Sequence, residues 1–303
     1  MTTKILIGGC GSSGTTLLRK MLNSHPEIAC GPEMSVFDRP LMYSESIDYL
    51  YTLWRSQDFD PLDAHCIFPL RKHNRTAEDL TYCGLLHENH MQFYHSADEV
   101  DNMFHDVSDI PEFLDLFFSQ WAEKQQKPIW AEKTPNNVYC ASEWLDAYTD
   151  GVYINVVRDG RDAVLSMNLR RKIPVMIGSY RWATSIKAWM KLLKSAHFEN
   201  ESGAITNDFE NRIYSIKYED LILKTEKTLD RLCRFIGVEF DYTMLEYWKV
   251  ENPDDQTGGV QYAKEPVFKD SIGRWQKPDY DPTILDQILA LIETELDIMG
   301  YEI

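Results

Sequence analysis

"KILIGGCGSSGTTLLRKMLNSHPEIACGPE", residues 4–33, sets a short β-branched run before a glycine-rich turn and follows it with an apolar-periodic segment. A strand, a turn and a helix in that order bring backbone N–H groups and the positive end of a helix dipole to one point, which suits a phosphate. Two readings of the turn fit. Gly9, Gly11 and Gly14 spell G-x-G-x-x-G, the dinucleotide spacing, in which an acidic residue about 20 positions on takes the ribose hydroxyls. Glu33 is roughly so placed. Alternatively, Gly9 to Gly14 followed by Thr15-Thr16 spells G-x-x-x-x-G-T-T, in which successive amides wrap the phosphate and hydroxyls at the end of the loop add donors. The paired threonines favour the second reading, because a dinucleotide helix continues with small apolar residues that pack on the sheet. Thr15 stands where the lysine of nucleoside triphosphatases would be, so a magnesium triphosphate fits poorly.

Outward from that stretch, the first helix is expected over 14–23, with Leu17, Leu18, Met21 and Leu22 as its buried stripe and His25-Pro26 as its end. Residues 34–127 are rich in aromatic, His and Asp residues at mostly helical spacing and read as a helical insert over the sheet edge. "KPIWAEKTP" (127–135) and "GVYINVVRD" (151–159) read as buried strands flanking the helix "ASEWLDAYT". "RIYSIKYEDL" reads as a further strand leading into the amphipathic "KTEKTLDRLCRFIGV", and "PTILDQILALIETELDIMG" as a C-terminal helix with a glycine stop. Such alternation predicts an α/β fold, a P-loop-type parallel β-sheet with helices on both faces and ligands at the carboxyl ends of the strands. "ENPDDQTGGVQYAKEP" (251–266) reads as a long functional loop.

At 303 residues with 44% hydrophobic content the chain can bury a large core. Its formal charge of −17 argues against nucleic acid or an anionic membrane as partner, since the averaged field repels both. Residues 158–194 run the other way, with nine Lys or Arg against two acids, a local balance of +7 that points to a dedicated anion site. Six cysteines without C-x-x-C pairs indicate neither a zinc site nor a disulfide framework, so a reduced cytoplasm is the expected location. The first strand begins within four residues of the start, which leaves no room for a signal peptide, and no long apolar run predicts a membrane span. His87 and His90 lie one helical turn apart, but no third ligand is indicated and no metal is expected.

The second anchor is "VVRDGRDAVLSMNLRRK", residues 156–172, where a strand ends at Arg158 and a helix starts near Asp159 or Gly160. Ser166 and Arg170, four apart, share a helix face. Two guanidinium groups and a hydroxyl together suit one phosphate dianion. Trp182, Trp189 and Tyr180 are expected in the core of the following helix.

With "EKTP", "YEDL" and "PVFKDSIGRW", these stretches resemble the sulfotransferases that use 3′-phosphoadenosine-5′-phosphosulfate (PAPS), most closely the tyrosylprotein sulfotransferase branch. The resemblance implies one sulfotransferase domain over residues 1–303, with the insert 34–127 forming part of the acceptor site. It implies PAPS as donor, PAP as product, no metal, and a hydroxyl acceptor on a protein tyrosine, a small alcohol or phenol, or a sugar. By that likeness Gly11, Ser12, Ser13, Gly14, Thr15 and Thr16 hold the 5′-phosphosulfate, Arg158, Ser166 and Arg170 hold the 3′-phosphate, Tyr218 contacts the cofactor, and Arg274 closes the site. Glu33 matches the general base and Lys133 the group that stabilises the transition state. The sequence departs from the family in two places. Ser12 replaces the usual Arg or Lys, leaving Lys269 as a substitute cation, and the serine expected before Pro266 has no aligned counterpart, with Thr257 the candidate. The branch normally carries a membrane anchor, which is not seen here, and dimerisation rests on family analogy. The competing readings are an NAD- or flavin-dependent oxidoreductase using the G-x-G-x-x-G turn, and a nucleotide-binding protein of this fold without turnover.

Overall fold

The structure, a computed structural model, describes residues 4–55, 93–196, 209–250, 266–267, 269–277 and 281–303. Five strands, β1 (Lys4–Gly9), β2 (Ile28–Cys30), β3 (Ile129–Lys133), β4 (Gly151–Val157) and β5 (Ile213–Lys217), form one parallel sheet in the order β2-β3-β1-β4-β5. That order separates the two readings of the turn. A dinucleotide fold sets its second strand beside the first, whereas here β3 lies between them.

Alternation along the strands gives the sheet two unlike faces. On one, Ile5, Ile7, Ile154 and Val156 pack on α1 (Thr15–Asn23) and on Leu229, Leu232 and Ile236 of α9 (Thr225–Ile236). The other face is aromatic. Trp130 and Tyr153 meet rings from α4 (Ile110–Lys124), α5 (Ala141–Ala147) and α7 (Val175–Ala196). Trp130 lies 5.1 Å from Phe118 in a stacked pair and 6.5 Å edge-on from Trp144, and each such ring contributes roughly 1.5–3 kcal/mol by burial. A third cluster joins α6 (Gly160–Arg171), α7 and α10 (Pro282–Ile298) around Trp182.

The described part of the insert is helical, as expected, and includes α2 (Ile47–Arg55), α3 (Ala97–Met103) and α4. It does not hang over the edge: α4 lies on the aromatic face against β3, because Phe113, Phe117, Phe118 and Trp121 fall on one side of the helix and need a face to cover. Three other expectations change. β2 is a three-residue edge strand that the sequence pattern does not announce. "YEDL" starts the helix α8 (Tyr218–Leu223), with Glu219 and Asp220 in its first turn where the dipole favours acids. Trp182 and Trp189 are buried but Tyr180 is 68% exposed, since it falls off the stripe of α7 that carries Trp182, Ile186 and Trp189.

Cys10, Cys30, Cys140 and Cys233 are free and buried. Among the described residues no helix is long and apolar enough to cross a membrane, and no cluster of potential metal ligands occurs. The pair His87 and His90 and the candidate Thr257 lie outside the described residues.

Candidate active site

The turn after β1 is closed by the Ser13 amide donating to the Cys10 carbonyl at 3.2 Å. Gly14 precedes α1 at φ 95°, and a Cβ there would overlap the Tyr218 ring, so only glycine serves. Among the described residues no side chain caps α1, which leaves its first-turn N–H groups directed at the turn as anion donors. The Ser13 hydroxyl is fully buried with no hydrogen-bond partner among the described residues, an orphan that a ligand oxygen would satisfy. Burial pushes the Cys10 thiol up to about 12, which removes it as a nucleophile near neutral pH.

The second anchor meets this turn. Arg158, buried at the end of β4, donates from Nη1 to the Ser12 carbonyl at 2.9 Å and from Nη2 to the Ser271 carbonyl. Its guanidinium stands 4.6 Å from the centre of the Tyr218 ring, whose hydroxyl lies 2.8 Å from Ser271 Oγ. Among the described residues Arg158 Nε is buried without a partner, a second orphan donor. The cation beside Ser12 is therefore Arg158. Lys269 is exposed and, among the described residues, makes no bond to Ser12.

Along α6 the basic segment divides by role. Arg161 is buried, ion-paired with Asp159 at 2.8 Å and stacked on Trp275 at 3.7 Å, so its charge is spent on structure. Asp159 caps the helix by accepting from the Arg161 amide, and its own amide is taken by Glu219 at 3.0 Å. The open helix terminus is thus that of α1. Further along, Arg170 Nε donates to the buried Ser166 hydroxyl at 2.8 Å, the shared face that the spacing predicts. The 269–276 segment is held from below by Asp162, which accepts from the Gly273 amide at 2.7 Å and the Trp275 amide at 3.3 Å. Burial raises the Asp162 carboxyl above the usual range, opposed by the Arg158 charge beside it. Arg274 donates from Nε to the Asp270 carbonyl at 3.1 Å. Ser271 and Asp162 were missed in the sequence, although both lie inside the quoted motifs.

At the end of β3, the Lys133 ammonium is 3% exposed, 2.7 Å from Glu33 Oε2 and 3.5 Å from the Thr16 hydroxyl. Glu33 remains 31% exposed. Residues from four separate stretches therefore converge on the carboxyl edge of β1, β3 and β4. Open helix N–H groups, orphan donors, one ammonium and buried guanidinium form a donor set for a phosphorylated anion, with a carboxylate at its margin.

The Sulfotransferase family profile matches residues 4–242. The chain belongs to the Sulfotransferase family. Among relatives of the family, the protein-tyrosine sulfotransferase 1 of Danio rerio is 23% identical over 312 residues, covering 98% of this chain and 72% of its own. The protein-tyrosine sulfotransferase of Drosophila melanogaster is 24% identical over 310 residues, 98% of this chain and 51% of its own. The sulfotransferase domain from the Synechococcus PCC 7002 olefin synthase superposes with a TM-score of 0.64 at 18% identity, over 99% of this chain and 95% of that one. The sulfotransferase domain from the curacin biosynthetic pathway gives 0.61 at 17% identity, over 100% and 99%. At such identities the superpositions establish the fold, and the family establishes a sulfotransferase enzyme.

Proposed function

We propose that the chain transfers the sulfuryl group of PAPS to a hydroxyl acceptor by in-line displacement, with Glu33 as general base. PAPS supplies a sulfuryl group already activated by its link to the 5′-phosphate. The observation that carries this reading is the Lys133 ammonium, 2.7 Å from Glu33 and 3.5 Å from Thr16, which joins a proton acceptor to the anion loop. Glu33 takes the acceptor's proton as its oxygen attacks, a role typically worth about 10²–10⁴ in rate. Lys133, the Thr16 hydroxyl and the amides of residues 14–16 stabilise the charge that builds on the departing 5′-phosphate oxygens. Gly11, Ser12 and Gly14 let the backbone approach that phosphate, and Thr15 begins the helix behind it. At the other end Arg158, Ser166 and Arg170 hold the 3′-phosphate, with Tyr218 beside Arg158 and with Arg274 and Lys269 on the closing segment. PAP leaves as product.

Protein tyrosine, small alcohols or phenols, and sugar hydroxyls all meet this chemistry, and the names of the relatives favour the first. Calorimetry with PAP and with adenosine 5′-monophosphate tests the donor, and the expected result is clearly tighter binding of PAP. Equal affinity for the two would sink the reading. A screen with radiolabelled PAPS against a tyrosine peptide, tyramine and a monosaccharide identifies the acceptor class.

A further inference from the structure

Glu132 is 1% exposed and takes no part in the transfer described above. A carboxylate that deep is tolerated only when its oxygens are hydrogen-bonded. Its Oε1 accepts from the Met34 amide at 3.2 Å and from the Thr134 hydroxyl at 2.7 Å, and its Oε2 accepts from Asn137 Nδ2 at 2.7 Å. Thr134 Oγ1 itself accepts from the Ser35 amide at 2.9 Å, and Asn137 Nδ2 also donates to the Ile7 carbonyl at 3.0 Å. The two amides that follow Glu33 are thus both fastened to the chain at the end of β3, one directly and one through a hydroxyl. β2 stops at Cys30, so among the described residues no strand pairing holds this stretch, and Ser35 sits in the left-handed region at φ 57°. A non-glycine residue there is kept by its surroundings.

We infer that Glu132 is a positioning residue which, through the Met34 amide and the Thr134 hydroxyl, sets where the Glu33 carboxylate meets Lys133. This inference rests on the transfer reading, because it matters only if Glu33 moves a proton. Glu132 and Lys133 are neighbours on one strand, so a single stretch of β3 would fix both members of the pair, Lys133 by its own backbone and Glu33 through the Met34 amide.

The test measures transfer from radiolabelled PAPS to tyramine, and PAP affinity by calorimetry, for Glu132→Gln, Thr134→Val and Thr134→Ser. Each variant is made in the native chain and in the Glu33→Gln background. In the native chain, Glu132→Gln and Thr134→Val are expected to lower kcat about 10- to 100-fold, the scale of a misaimed group, with PAP affinity within about twofold of native, and Thr134→Ser is expected to restore turnover. In the Glu33→Gln background the same changes should not lower the residual rate further, because no carboxylate remains to be aimed. Native kcat in Thr134→Val, or equal losses in both backgrounds, overturns the inference and leaves the base assignment standing. Full turnover in Glu33→Gln alone overturns both, and that variant by itself tells the two failures apart.

Discussion

The turn at residues 10–14 and the pair Arg158 and Arg170 offer donors of different kinds to an anion. At the turn the donors are backbone amides, the buried Ser13 hydroxyl, the half-buried Thr16 hydroxyl and the 3%-exposed ammonium of Lys133, all short or buried groups with little freedom to lose. On the β4 side the donors sit on long side chains, Arg158 buried between the Ser12 and Ser271 carbonyls and Arg170 reaching back over Ser166 from an exposed position. Rigid dipoles suit the end where charge must be stabilised as bonds change, since they need no reorganisation during reaction. Forked cations suit the end that only has to recognise a phosphate. The turn should therefore govern turnover and the guanidinium groups affinity.

The largest expected effect falls beside Lys133, at the end where bonds change. Glu33→Gln should lower kcat about 10²–10⁴-fold while PAP binding by calorimetry stays close to native; a parallel fall in both would erase the division of labour. Next comes pH. Burial pushes the Glu132 carboxyl from 4.5 up to about 7, so the folded state holds a proton that the unfolded chain releases across that interval. Stability should fall as pH rises from 4.5 to 7, by at most about 3 kcal/mol. Denaturant titration of Glu132→Gln beside the native chain should show this slope missing from the variant. On the far side, Arg158→Lys keeps the charge and loses the fork, so PAP affinity should drop roughly 10- to 100-fold, and adenosine 5′-monophosphate affinity much less. Smallest is Arg170→Ala. Its exposed charge should be worth about three- to tenfold in PAP affinity at low salt and less at high salt, with unfolding free energy unchanged within about 0.5 kcal/mol.

The parts of the fold legible in the sequence were those written in local periodicity. The strand, turn and helix at residues 4–23 fall where Gly14 and the leucine stripe place them, and β3, β4, α9 and α10 follow their apolar runs. β2 escaped because three residues carry no period. Tyr180 misled because an aromatic residue beside Trp182 looks like core until the helix phase is fixed. Within the site, the Ser166 and Arg170 contact was readable from a spacing of four, whereas the Arg158 bonds to Ser12 and Ser271 join stretches far apart in sequence and follow only from the strand order. The positive balance of residues 158–194 overstated the anion site, because Arg161 is consumed by Asp159 and Trp275, and composition cannot tell a buried ion pair from a free cation.

The placement of β1 between β3 and β4 also bears on how the enzyme comes into being. Lys4 pairs with Trp130 on one side and Gly151 on the other, and Arg158 reaches Ser12 across 146 residues. Contacts of such long sequence separation form slowly, since the intervening loop must close before they are rewarded. On a ribosome adding roughly 5–20 residues per second, the glycine turn waits many seconds for its arginine, and a nascent chain cut short of β4 holds only one side of the candidate site.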